Sequence, residues 1–251
     1  MKKGTLINQV VKCHWLPING MSNEVAQHTK GMFRTLLFAA LLILHSSFLV
    51  SCSEKDNSVV EFENWQEVNE NYFNNLYTQT RQKIANNDKQ WKILTLWSLQ
   101  DSIATYPYNH IIVHVLEEGT GTACPMYTDS VRADYSGRLL PSASFSTGYV
   151  FDKSYSGTFD PATATPSTFK CSSLTGGFAT AIMNMHIGDH WEIYVPYQLG
   201  YGVNGSSDTN GKTIIPGYST LIFDVTLKAF YRANETPPSF QSKQFSGWIE
   251  E

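Results

Sequence analysis

The chain has 251 residues and a formal net charge of −4. It is 42% hydrophobic and 16% charged, so a packed core is within reach and wholesale disorder is excluded. No Lys/Arg-rich patch of the kind phosphate backbones need occurs anywhere, which argues against a nucleic-acid partner. Gly, Ser, Thr and Tyr are plentiful, a mix that suits a β-rich domain outside the cytoplasm.

Residues 1–31 are polar and precede a better start at Met32, with Met21 a second option. They are expected to be an over-extended start without a role in the fold. Residues 32–51 read as a signal peptide. Lys30 and Arg34 flank an apolar run from Leu36 to Val50, which is shorter than the roughly 20 residues of a membrane-spanning helix. The run ends in Leu49-Val50-Ser51-Cys52, which resembles the bacterial lipobox. That resemblance implies a diacylated Cys52 as the new N-terminus, hence a lipid-anchored protein of the bacterial cell envelope, on the periplasmic side or the cell surface. An uncleaved signal anchor is the alternative. Residues 52–60 form a polar tether. With Cys13 in the discarded segment and Cys52 acylated, Cys124 and Cys171 remain in an oxidising compartment, as a disulfide or as two separate thiols.

Residues 61–105 are expected to be a helical segment. Trp65, Val68, Tyr72, Phe73, Leu76 and Ile84 recur at helical spacing, a stripe that packs on its own β-domain or on a partner. The run from Trp91 to Ile103 is of less definite type. From Asn109 the period changes to two. Strands are expected at 110–116, 130–137, 191–195 and 219–230, with one helix over 177–185. The fold class is therefore α+β, an antiparallel sheet on one short helix preceded by the helical segment. Residues 106–231 form the main domain and 232–251 a tail.

Several pieces of that domain carry a resemblance in chain order. Glu118-Gly119-Thr120-Gly121 with Pro125 and Val131 opens it. Tyr135-Ser136-Gly137-Arg138-Leu139 and Phe151-Asp152-Lys153-Ser154 follow. Gly177-Phe178 with Met185, Gly188 and Asp189 comes next. Ile193-Tyr194-Val195-Pro196, Leu199-Gly200-Tyr201-Gly202, Ile214-Ile215-Pro216 and Ser219 to Leu227 complete the series. In this order they resemble the FKBP-type peptidyl-prolyl cis–trans isomerases. Three loops, 137–151, 152–169 and 202–214, are longer than that family's norm. Phe178 stands where the family has Trp, and Gly217 replaces a second Pro. Phe159-Asp160 is a second Phe-Asp pair, but Lys153-Ser154 continues the motif only after Phe151-Asp152.

The resemblance implies an FKBP-like fold and a site for an Xaa-Pro bond. Tyr135, Phe151, Phe169, Phe178 and Phe223 would wall it, with Phe178 as the floor for the prolyl ring and Leu174 at its flank. Ile215, with Ile214 beside it, would supply a backbone N–H, Tyr201 a phenolic donor and Asp152 a hydrogen-bond acceptor at the rim. Rotation about the amide faces a barrier of about 18–20 kcal/mol. A water-excluding aromatic pocket lowers it without a titrating group or cofactor. No cofactor is expected. The implied partners are proline-containing unfolded or extended polypeptides and, through the lipid, a membrane. A homodimer through the 61–105 segment is a further option by analogy. A catalytically weak peptide- or protein-binding lipoprotein is the alternative reading, and a structural surface lipoprotein the third.

Other motifs carry less. His110 and His114 lie about 13 Å apart on a strand, too far for one ion. His186 and His190 flank a turn at Gly188. Gly119-Thr120-Gly121 lacks the Gly-Lys-Ser/Thr and following helix of a phosphate loop, and no nucleophile elbow is present.

Overall fold

A computed structural model describes residues 60–161 and 163–233. The expectations for residues 1–31, the signal peptide, Cys52, the tether before residue 60 and the tail beyond residue 233 lie outside the described residues.

Helix α1, Trp65–Ala85, forms where the sequence predicts it. Its buried residues Trp65, Asn69, Phe73 and Thr80 fall at intervals of four, four and seven, so they line one face. Asn87 ends the helix in a left-handed conformation at φ 65, which Asn tolerates better than branched residues. The apolar stripe packs on the chain's own sheet: Trp65 and Phe73 belong to the main core, with Tyr72, Leu76 and Tyr77 against it.

The second half of the expected helical segment is corrected. Trp91–Thr95 is a strand, β1, and Asp101–Ile103 is a single 3-10 turn. β1 pairs antiparallel with β2, His110–Glu117, placing Trp91 opposite His114 and Ile93 opposite Ile112. The pull toward strand is tertiary, because β2 offers an unpaired edge that five residues of mixed pattern can satisfy.

The remaining strands are β3 (Ser130–Arg138), β4 (Val150–Lys153), β5 (Ser167–Lys170), β6 (His190–Val195), β7 (Ser206–Ser207), β8 (Thr213–Ile215) and β9 (Leu221–Tyr231). The main sheet runs β1-β2-β6-β9-β3-β4, and β5 also pairs with β3. β5 lies along Ser130–Ala133 and β4 along Ser136–Arg138, so two short strands share one edge of β3. β7 and β8 make a separate two-stranded ribbon. Helix α2, Gly176–Ile182, lies on the sheet with all of residues 177–182 buried. Gly177 permits that approach, since a Cβ there would stand 2.4 Å from Val195 Cγ1. The fold is therefore α+β, as the sequence indicates, but β1 and α1 are part of the same core rather than an appendage to residues 106–231.

Cys124 and Cys171 are both free thiols, which decides between the two options the sequence left open. Cys171 is fully buried, and burial pushes its thiol up to about 12, so it stays protonated and inert.

The packing of α1 can be tested on stability. Phe73 is 3% exposed, so Phe73→Ala should cost about 3–5 kcal/mol in urea denaturation. Val68→Ala, on the exposed side of the same helix, should stay within about 0.5 kcal/mol. Equal small effects from the two would mean that α1 does not share the core.

Candidate active site

Strand alternation assembles the site. Tyr135 and Gly137 lie on the inner face of β3, and Gly137 stands opposite Phe223 of β9. Having no side chain, Gly137 leaves a gap that two rings fill. A Cβ there would stand 2.6 Å from Phe151 Cζ and 2.8 Å from Phe223 Cε1. Phe151 and Phe223 meet edge to face at 5.6 Å between centroids. Phe223 stacks on Phe178, at 4.5 Å and 17°. Phe178 in turn lies 6.0 Å from Phe169 and 6.2 Å from Tyr135, and Tyr135 meets Phe169 edge to face at 6.0 Å. Five rings from β3, β4, β5, α2 and β9 thus form one continuous aromatic cluster.

Polar groups occupy its rim. The Tyr135 hydroxyl donates to Asp152 Oδ2 at 2.7 Å. Burial first, then the hydrogen bond to Asp152 and its charge, hold the Tyr135 phenol above its usual range. Tyr201 lies just beyond the short 3-10 turn Tyr197–Leu199. Its phenol is also raised, by burial first and by the Asp152 charge second. Ile215 is buried in β8, while Ile214 and Leu174 pack half-buried against the core.

The second Phe-Asp pair is placed elsewhere. Phe159 packs on Tyr155 at 5.0 Å, beside a cavity of about 210 Å³ lined by Asp134, Ser136, Asp224 and Thr226. Those four alternate with Phe223 and Val225 along the strands and so face the other side of the sheet, while Tyr135 also borders the cavity. The histidines that resembled ligand pairs have ordinary roles. His110 Nδ1 lies 3.0 Å from Tyr106 O, His114 stacks on Trp91, and His190 pairs with Asp224 at 2.9 Å.

Two supports escaped the sequence reading. Ser154 Oγ accepts from the Tyr135 N–H, and the Ser154 N–H donates to Tyr135 O, so Ser154 fastens the end of β4 to the ring it faces. Its place in the Phe-Asp-Lys-Ser motif was the available signal. The second support is Asn69 of α1, a buried polar residue in the predicted helix that carries no motif at all.

Residues 121–228 match the family described as FKBP-type peptidyl-prolyl cis-trans isomerase. The macrophage infectivity potentiator of Trypanosoma cruzi is 33% identical over 117 residues, covering 47% of this chain and 51% of that protein. The FKBP-type 22 kDa peptidyl-prolyl cis-trans isomerase of Escherichia coli is 34% identical over 113 residues, covering 45% of this chain and 46% of that one. The chain therefore spans about half the length of these relatives. The crystal structure of FkpA from Escherichia coli aligns at 22% identity and a TM-score of 0.42, over 82% of this chain and 72% of that one. The order of motifs and the sheet folded on α2 agree with the family match, and over residues 121–228 the chain is similar to the FKBP-type peptidyl-prolyl cis–trans isomerases.

Proposed function

We propose that the protein isomerises Xaa-Pro bonds of unfolded or extended polypeptides within the aromatic cluster around Phe178. The observation that carries this reading is the cluster itself: five contacting rings with hydrogen-bonding groups confined to one rim. The planar amide owes its stability to charge-separated resonance that water supports. An apolar site withdraws the water, and the twisted, less polar amide loses less by it. Phe178 is the floor for the prolyl ring, and Tyr135, Phe151, Phe169 and Phe223 are the walls, with Leu174 at the flank. Tyr201 supplies a phenolic donor, and Ile215, beside Ile214, a backbone N–H. Asp152 fixes the orientation of Tyr135. Each 1.36 kcal/mol gained at the twisted state is about tenfold in rate.

A protease-coupled or proline-limited refolding assay tests the activity. The raised phenols move deprotonation of Tyr135 and Tyr201 to higher pH, so both remain neutral donors through the physiological range. The rate is expected to be flat from about pH 6 to 8, where general-base catalysis would give a titrating limb. A folded domain without turnover would move the assignment to a catalytically weak peptide-binding module. The loss of the indole donor at Phe178 supports that second reading.

The residues rank by what they contribute. Phe223→Ala, which hollows a wall, should lower kcat/KM by at least about tenfold. Tyr201→Phe removes one neutral hydrogen bond and should cost about two- to tenfold. Asp152→Asn keeps an acceptor for Tyr135 and should be the mildest. If Asp152→Asn abolished turnover in a folded protein, the mechanism would need an ionised carboxylate that this account does not give it.

We place the protein in the bacterial envelope, lipid-anchored at Cys52 as a folding helper of exported chains. Support comes from Leu49-Val50-Ser51-Cys52 and from the name of a 30% identical relative, the outer membrane protein MIP of Legionella longbeachae. Cys52→Ala should leave an unprocessed precursor that takes up no labelled fatty acid. Equal labelling of that variant and the wild type would rule out the anchor.

A further inference from the structure

The loop from Pro196 to Thr220 carries Tyr201, Ile214 and Ile215, and α1 holds it at both stems. At the far stem, Trp65 Nε1 donates to Ser219 Oγ at 2.8 Å, and Ser219 Oγ donates onward to Pro216 O at 2.7 Å. The Thr220 N–H donates to Asn69 Oδ1 at 2.7 Å, while Asn69 Nδ2 donates to Trp65 O at 2.7 Å. Asn69 and Thr220 are at most 1% exposed, so water cannot replace the bond between them. At the near stem, the Tyr197 hydroxyl donates to Glu70 Oε1 at 3.2 Å, and the Tyr197 ring meets Tyr218 edge to face at 5.1 Å. Trp65, Asn69 and Glu70 lie within about one and a half turns of one helix.

The constraint passes inward. Gly202 N–H donates to Tyr197 O at 2.8 Å, Tyr218 N–H to Gly202 O at 3.0 Å and Gly205 N–H to Tyr201 O at 3.2 Å. Ser206 pairs with Ile215. Gly217 passes so close to Val203 that a Cβ there would stand 2.0 Å from its carbonyl oxygen. The stems and the residues they carry therefore move together, and little inside the loop can absorb a displacement at its base.

We infer that Trp65, Asn69 and Glu70 are positioning residues, through which α1 sets the placement of Tyr201 and Ile215 over the aromatic walls. They touch no reacting atom, and α1 lies outside the residues matched to the isomerase family. The inference rests on the isomerase reading for its substrate and on the geometry alone for its clamp. Donors that bind substrate and twisted amide alike change KM more than kcat.

The test uses the full mature chain and two independent variants. Trp65→Phe keeps the ring and deletes its N–H. Glu70→Ala, at a more exposed position, deletes the near-stem acceptor, and Glu70→Gln restores one. Hydrogen exchange is read at the Tyr218 and Gly205 amides, which neither side chain touches, alongside thermal unfolding and turnover of a proline tetrapeptide. The clamp predicts at least about tenfold faster exchange at both amides in Trp65→Phe and Glu70→Ala, as expected for the loss of one hydrogen bond worth about 1.4 kcal/mol. KM should rise several-fold with kcat nearly unchanged, and Glu70→Gln should return both readouts toward the wild type. Unchanged exchange at Tyr218 and Gly205 in both variants would overturn the clamp, whether or not the wild type turns over. A rise in exchange across the whole sheet, in step with a lower melting temperature, would also overturn it, because α1 would then be acting only on global stability. Absence of turnover in the wild type would count against the isomerase reading alone, since the exchange arm needs no substrate.

Discussion

The pairing of β3 with β9 is the constraint on which the site depends. It runs from Ser130 opposite Tyr231 to Arg138 opposite Ile222, with a single irregularity between Arg132 and Ala133. That register sets Gly137 against Phe223 and leaves the gap in which Phe151 meets Phe223. A slip of one residue would turn Tyr135 and Phe223 to the other face and bring Asp134 and Asp224 inward. The aromatic cluster cannot survive such a slip, and a sheet with two carboxylates facing the core would be far less stable. The irregularity lies before Ala133, at the end of β3 away from Gly137. The strain of the extra residue is therefore taken up outside the segment that aligns the rings.

Given that register, the site is completed from elements distant in sequence. Phe178 arrives on α2, whose burial on all sides leaves it little freedom to tilt. Phe169 arrives on β5, which shares the β3 edge with β4. Ser154 and Asp152 fasten β4 to Tyr135 through backbone and side chain together. Rigid walls of this kind suit a reaction that needs shape and dryness rather than proton transfer, since a loose pocket would readmit the water it must exclude. The elevated phenols follow from the same dryness: burial that disfavours a phenolate also withdraws hydration from an amide.

Helix α1 extends the sheet's control to the loop of the site, which the main sheet does not carry. The loop bearing Tyr201 and Ile215 leaves β6 and returns at β9, and its own ribbon, β7 with β8, is separate from the main sheet. Without an outside support, its placement would rest on two stems alone. Trp65 and Phe73 anchor α1 in the core, and the polar groups between them reach the stems. The helix combines a packing face with a fixed set of hydrogen-bonding groups, and so relates the loop to the rest of the molecule.

The sequence by itself determined the fold class, the four longer strands, α2, the helical character of Trp65–Ala85 and the ring residues as one ordered series. Periodicity and motif order are local or linear signals, and these features are written in them. Phe151, preferred in the sequence for the Lys153-Ser154 that continues its motif, meets Phe223 in the ring cluster, while Phe159 packs on Tyr155. The tertiary structure alone decided the rest. Trp91–Thr95 became a strand because β2 had an open edge, a fact not present in those five residues. Cys124 and Cys171 remained thiols because chain separation does not encode the distance between side chains. Asn69 looked like a polar interruption in an apolar stripe. Its meaning lies in an N–H 151 residues away, which a linear pattern cannot express and which only the folded chain brings to 2.7 Å.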